Sequence, residues 1–108
     1  MGTRRYQKLV RDYIPRMIAD GGETPVTSIL SGQVYEQALS KKLLEETREF
    51  LEPGEAEELA DILEVVYAIA ELRGIGVETL ETIRLEKRSR NGDFSRGIYL
   101  DSVISGED

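Results

Sequence analysis

The sequence has neither cysteine nor histidine among its 108 residues. Without cysteine, the chain has no disulfide framework and no thiolate metal site. Without histidine, it has no imidazole base, no Ser-His-Asp triad and no zinc site of the usual kinds. Any acid-base chemistry must therefore use Glu, Asp, Lys or Tyr, and any metal site must be built from oxygen ligands.

Basic residues are outnumbered, and long apolar runs are missing. The chain has 14 Lys and Arg against 21 Asp and Glu, a net charge of −7. This balance argues against a nucleic-acid or membrane-surface protein, because both kinds of binding rely on a basic surface. No stretch approaches a membrane span, and MGTRRYQKLVRDYI lacks the features of a signal peptide. We expect a soluble, cytoplasmic protein with no membrane or nucleic-acid partner.

The length predicts one domain, residues 1–108, with a modest core. Residues 1–11 form a basic arm, and residues 104–108 are expected to be a disordered tail. Cap signals and hydrophobic periodicity predict an all-α chain. The expected helices run from an N-cap near Asp12 to Gly21-Gly22, from an N-cap at Ser31 to about Leu51, from about Glu55 to Arg73, and from about Val77 to Arg90.

Two segments bear on the architecture: the run between the first two helices and the middle of the third helix. The β-favouring run 24–30, TPVTSIL, is too short to distinguish an extended segment from a connector. Residues 62–70 of the third helix are apolar on more than one side, and such a helix needs partners on both flanks. We therefore expect an antiparallel helical bundle with a central metal-binding hairpin, completed by oligomerisation as a homodimer or homotetramer.

Two pairs of carboxylates flank the turn at Pro53-Gly54: Glu46 with Glu49 before it, and Glu58 with Asp61 after it. Residues three apart on a helix share a face, so each pair points one way. Both pairs align with the apolar stripe of their helix. If the two helices are antiparallel neighbours, the pairs converge at the Pro-Gly end of the hairpin.

Four converging carboxylates repel one another and need a compensating cation. Oxygen ligands favour Mg²⁺, with Mn²⁺ as an alternative; Ca²⁺ is compatible with the ligand type, but the EF-hand pattern is absent. A different interpretation is that each pair is a solvated helix face, and that Glu57 and Glu58 only suit the dipole of a helix N-terminus. We favour a metal site because both pairs lie on adjacent helices and on apolar faces.

The segments KLLEETREF and EELADILEVV resemble the Glu-x-x-Glu and Glu-x-x-Asp metal motif of the MazG-like all-α nucleoside-triphosphate pyrophosphohydrolases, relatives of phosphoribosyl-ATP pyrophosphohydrolase. The opening KLVRDYIPRMI is similar to the KLVRDKIPEII opening of a small subgroup. With TPVTSILS and KRSRNGDFSRGIYL, the likeness covers most of the chain. The interval between Glu49 and Glu58 is shorter than in many members, which implies a tight hairpin.

The resemblance implies a Mg²⁺-dependent enzyme that cleaves a nucleoside triphosphate between the α- and β-phosphates, releasing monophosphate and pyrophosphate. Such an activity suits the removal of non-standard nucleotides. The implied metal ligands are Glu46, Glu49, Glu58 and Asp61. Glu46 would also be catalytic, and Glu45 would orient or deprotonate the attacking water.

Basic and amide groups near the end of the chain hold the polyphosphate in this family. The matching residues are Lys87, Arg90 and Asn91, joined by Arg11 from the arm; Phe94, which follows the basic turn, is the candidate for contacting the base. The alternative is that the arm is a solvated terminus and the basic cluster on the last helix only complements its dipole.

The sequence is compatible with two other functions. One is a phosphoribosyl-ATP pyrophosphohydrolase, which shares the chemistry and differs in substrate. The other is a non-catalytic helical module that binds a protein or a regulatory nucleotide through its acidic face and its oligomer surface. Phosphoanhydride hydrolysis needs charge neutralisation and a positioned water, and a metal held by carboxylates supplies both, so the nucleotide hydrolase is the leading interpretation.

Overall fold

The computed structural model describes residues 2–106. Within this range the regular structure is entirely helical and no strand is present, which confirms the all-α prediction. The chain forms two compact units, which divide between Val77 and Glu78. The predicted disordered tail falls partly on residues 107 and 108, which lie outside the described range. The helices are α1 (Ile14–Asp20), α2 (Gly32–Leu51), α3 (Ala56–Leu72) and α4 (Val77–Asn91).

The start of α1 differs from the prediction. Its N-cap is Tyr13, which makes no capping hydrogen bond through its side chain, and not Asp12. Pro15 lies in the first turn and has no N–H, so one of the amides that an Asp cap would bind is missing. The predicted end at Gly21-Gly22 is confirmed. Residues 24–30 have no regular secondary structure and are therefore a connector.

The turn between α2 and α3 is the tight turn that the sequence predicts. The predicted cap at Ser31 and end at Leu51 are confirmed for α2, and Glu55 is the N-cap of α3. Gly54 has a φ of +82°, and a Cβ added there would lie 3.0 Å from the carbonyl oxygen of Phe50. Because only glycine adopts this conformation readily, Gly54 is required for the turn.

The two long helices pack on each other as an antiparallel hairpin. Their contact buries Leu39 of α2 together with Val65 and Ala70 of α3. At the open end, the guanidinium of Arg73 donates two hydrogen bonds to the carboxylate of Glu36, at 3.1 and 3.2 Å. Hydrogen bonding and charge from Arg73 lower the pKa of Glu36. This ion pair joins the beginning of α2 to the end of α3.

The hairpin leaves much of its apolar surface uncovered in the isolated chain. Leu59, Leu63 and Tyr67 lie four residues apart on α3, with exposed fractions of 48%, 51% and 36%. Residues at this spacing share a helix face, so the three side chains form an apolar stripe. None of the helices within residues 2–106 is long and apolar enough to cross a membrane.

Replacing the buried Val65 by alanine should lower the free energy of unfolding by about 2 kcal/mol, because two methyl groups are removed from the packed hairpin. The same change at Val26, which is 96% exposed, should alter stability by less than about 0.5 kcal/mol. Urea unfolding followed by circular dichroism measures both. Equal losses in the two variants would contradict the placement of the core.

Candidate functional site

Three carboxylates of α2 come together near its C-terminal end. Glu45, Glu46 and Glu49 each offer an oxygen, and these oxygens all lie within 4.8 Å of one another. Glu46 is only 6% exposed, whereas Glu45 is half-buried and Glu49 is exposed. The burial of Glu46 agrees with its position on the apolar stripe of α2. We call these three side chains the carboxylate group.

Two ammonium groups lie against the carboxylate group. Lys42 Nζ lies 2.7 Å from Glu45 Oε2 and 3.2 Å from Glu46 Oε1. Lys8 Nζ, from the basic arm, lies 3.4 Å from Glu45 Oε1. The side chains of Lys42 and Glu46 are 16% and 8% exposed, so their ion pair is well shielded from water. Two positive charges thus face three negative ones, and the group keeps an excess of negative charge.

The protonation of the site follows from these contacts. Burial opposes the charge of Lys42, but hydrogen bonds from its ammonium to Glu45 and Glu46 outweigh that effect and raise the pKa of Lys42. The hydrogen bond from Lys42 is also the main cause that lowers the pKa of Glu45; burial opposes it, and the charges of Lys42 and Lys8 reinforce it. A carboxylate with a lowered pKa is a weak base, which suits Glu45 to binding a cation or orienting water more than to removing a proton.

The second predicted pair has other partners. Glu58 Oε1 accepts a hydrogen bond from the backbone N–H of Glu55 at 3.1 Å, which completes the capping box at the start of α3. Asp61 Oδ1 accepts a hydrogen bond of 2.6 Å from Arg11 Nη2. Neither carboxylate belongs to the carboxylate group. Their role as metal ligands stays a prediction.

The basic arm lies against the acidic side of the hairpin. Arg11 contacts α3 through Asp61 and, at 3.9 Å, through Glu64 Oε1. Lys8 contacts α2 through Glu45. The arm therefore links both helices through charge pairs, and it brings Arg11 to one of the predicted ligands.

The other predicted substrate contacts lie in the second compact unit. Lys87, Arg90 and Asn91 belong to the last turns of α4, and Phe94 follows the helix with 97% of its surface exposed. These side chains are accessible to a ligand. Their part in binding phosphate or base stays a prediction.

Two cations of the site were not predicted from the sequence. Lys42 precedes Glu45 and Glu46 by three and four positions, a spacing that predicts ion pairs on a helix. The contacts of Lys42 could therefore have been predicted from the sequence. Lys8 has no comparable signal, because its contact with Glu45 joins segments far apart in the sequence.

Comparison of the chain with protein families, curated proteins and solved structures found no match.

Proposed function

We propose that this chain is a Mg²⁺-dependent nucleotide pyrophosphohydrolase that cleaves the α-β phosphoanhydride of a nucleoside triphosphate into monophosphate and pyrophosphate. The observation that supports this most is the carboxylate group, whose oxygens lie within 4.8 Å of one another around the buried Glu46. Lys42 compensates the buried Glu46 in part, and the repulsion that remains among the three carboxylates favours a further cation.

The residues fit a hard divalent cation. All the donors are carboxylate oxygens, which Mg²⁺ and Mn²⁺ prefer. Glu46 and Glu49 would hold the ion, and the lowered pKa of Glu45 keeps this neighbouring carboxylate ionised. Three carboxylates face only the two ammonium groups of Lys42 and Lys8, so the site keeps negative charge that favours a cation.

A bound divalent cation would neutralise charge on the phosphate oxygens and activate a water. Glu45 would orient that water by accepting a hydrogen bond from it. Glu58 would give up its hydrogen bond with the Glu55 N–H, and Asp61 would give up its hydrogen bond with Arg11. Both carboxylates would then complete the ligand set. Arg11 would then be released to bind the polyphosphate, as the resemblance implies.

The exposed stripe of Leu59, Leu63 and Tyr67 supports the proposal that the helices complete a bundle by self-association, as a homodimer or homotetramer. Burial of this stripe against a second copy would cover the flank of α3 that the hairpin leaves open. Removing non-standard nucleotides is the cellular role that we assign to the enzyme.

One observation favours a second candidate, the non-catalytic helical module. Lys42 pairs with Glu45 and Glu46, and Arg11 pairs with Asp61, as in a purely structural network. A module of this kind gains no stability from Mg²⁺ or Mn²⁺, whereas a metal site does.

The test is to incubate the protein and Mg²⁺ with ordinary, deoxy, damaged and phosphoribosyl nucleotides, and to measure monophosphate and pyrophosphate together. Equimolar release of both products is the expected result and ranks the substrates. Release of orthophosphate alone would contradict α-β cleavage. No release with any nucleotide, together with no metal-induced rise in melting temperature, would favour the module.

A further inference from the structure

A pocket lies beside the carboxylate group, between the basic arm and the first half of α2. Its volume is about 250 Å³. Lys42 and Glu45 belong both to the pocket wall and to the ion pairs of the proposed metal site. A ligand in the pocket would therefore be in contact with the site where hydrolysis is proposed to occur.

The charges of the pocket favour an anion. Lys8, Lys41 and Lys42 contribute ammonium groups to its wall, and Glu45 contributes a carboxylate. Lys42 and Lys8 are paired with Glu45, whereas Lys41 is exposed one residue away on the same helix. An incoming phosphate group could thus be bound by Lys41 without disturbing the carboxylate group.

The rest of the wall has the chemistry that a nucleobase requires. Leu30 and Val34 provide apolar surface for the face of a ring, and Gln7 and Gln37 provide amides. A glutamine amide can both donate and accept hydrogen bonds, as the edges of bases do. Gln7 has a φ of +49°, a conformation that non-glycine residues seldom adopt and that occurs more often at functional sites.

We propose that this pocket binds the nucleoside part of the substrate and that Gln7 and Gln37 select the base by hydrogen bonds to its edge. The inference rests on the proposed function, since it assigns the nucleoside site of that enzyme. Gln37 and Glu45 are eight residues apart on α2, which corresponds to about 12 Å along the helix. A ribose and its phosphates can extend over this distance, from the base in the pocket to the carboxylate group.

The test is calorimetric titration of AMP, GMP, CMP and UMP into the full chain with Mg²⁺, in the wild type and in Gln37→Ala. The wild type should prefer one base, and Gln37→Ala should bind that base about tenfold more weakly, because a hydrogen bond to the base is lost. The matched control is Gln33→Ala. Gln33 is an exposed glutamine one turn earlier on α2 that does not line the pocket, so its variant should bind as the wild type does.

Three results would overturn the inference. They are the absence of nucleotide binding by the wild type, identical affinities in Gln37→Ala and Gln33→Ala, and binding of inorganic phosphate that is as tight as that of the preferred monophosphate. Circular dichroism of both variants verifies that they are folded.

The hydrolysis assay, run on the same preparations, separates this inference from the proposed function. Base-selective binding that depends on Gln37, without hydrolysis of any nucleotide, would support the pocket and reject the enzyme. Hydrolysis with the same base preference in the wild type and in Gln37→Ala would support the enzyme and reject the pocket as its nucleoside site.

Discussion

Replacing Glu46 by glutamine should reduce metal-dependent hydrolysis at least 100-fold and weaken Mn²⁺ binding by a similar factor, while the helix content stays the same. The magnitude follows because even groups that only orient metal ligands change affinity or activity by about 10-fold to 100-fold, and Glu46 is proposed to bind the ion directly. Glutamine has nearly the same shape as glutamate, so the buried position stays filled. Pyrophosphate release, Mn²⁺ titration and circular dichroism measure the three quantities.

The matched control is Glu57→Gln, which makes the same chemical change at an exposed position in the first turn of α3. It should retain activity and metal affinity. Asp61→Asn should also abolish turnover if Asp61 leaves Arg11 to join the ligands. Full activity in both Glu46→Gln and Asp61→Asn would reject the metal site.

Local patterns predicted the helices that the described residues form and most of the helix ends. The cap at Ser31, the Pro-Gly turn and the glycines after α1 act through the conformation of neighbouring residues, so their effect can be predicted from the local sequence. The burial of Glu46 was predictable because helical periodicity places it among apolar residues. The predicted N-cap of α1 was wrong because Pro15 lacks the N–H that a capping carboxylate would bind.

The candidate site was only partly predictable, because some of its carboxylates have other partners that compete with a metal ion for them. Glu58 occupies a position that serves equally as the third residue of a capping box and as a metal ligand, and the spacing is the same for both. The pair of Arg11 with Asp61 joins residues 50 positions apart, where no periodic pattern applies. Tertiary contact between the arm and the hairpin decided both the partner of Asp61 and the position of Lys8.

Replacing Lys42 by methionine should lower the free energy of unfolding of the metal-free protein by about 1–3 kcal/mol, because the buried carboxylate of Glu46 loses its charged partner. The methionine keeps most of the apolar length of the side chain, so the loss reports mainly on charge. The same variant should gain more stability from Mg²⁺ or Mn²⁺ than the wild type gains, since the metal no longer competes with the ammonium group.

The control for this prediction is Lys41→Met, the same change at the exposed neighbouring lysine. In the absence of nucleotide, it should melt like the wild type and respond to metal like the wild type. Urea unfolding with and without Mn²⁺ gives both quantities for each variant. Equal stability losses in the two variants would show that Lys42 is not the stabilising partner of Glu46. A Lys42→Met protein that is destabilised but not rescued by Mn²⁺ would show that the carboxylate group is a structural network, because a metal site that has lost its competing cation must bind metal more tightly.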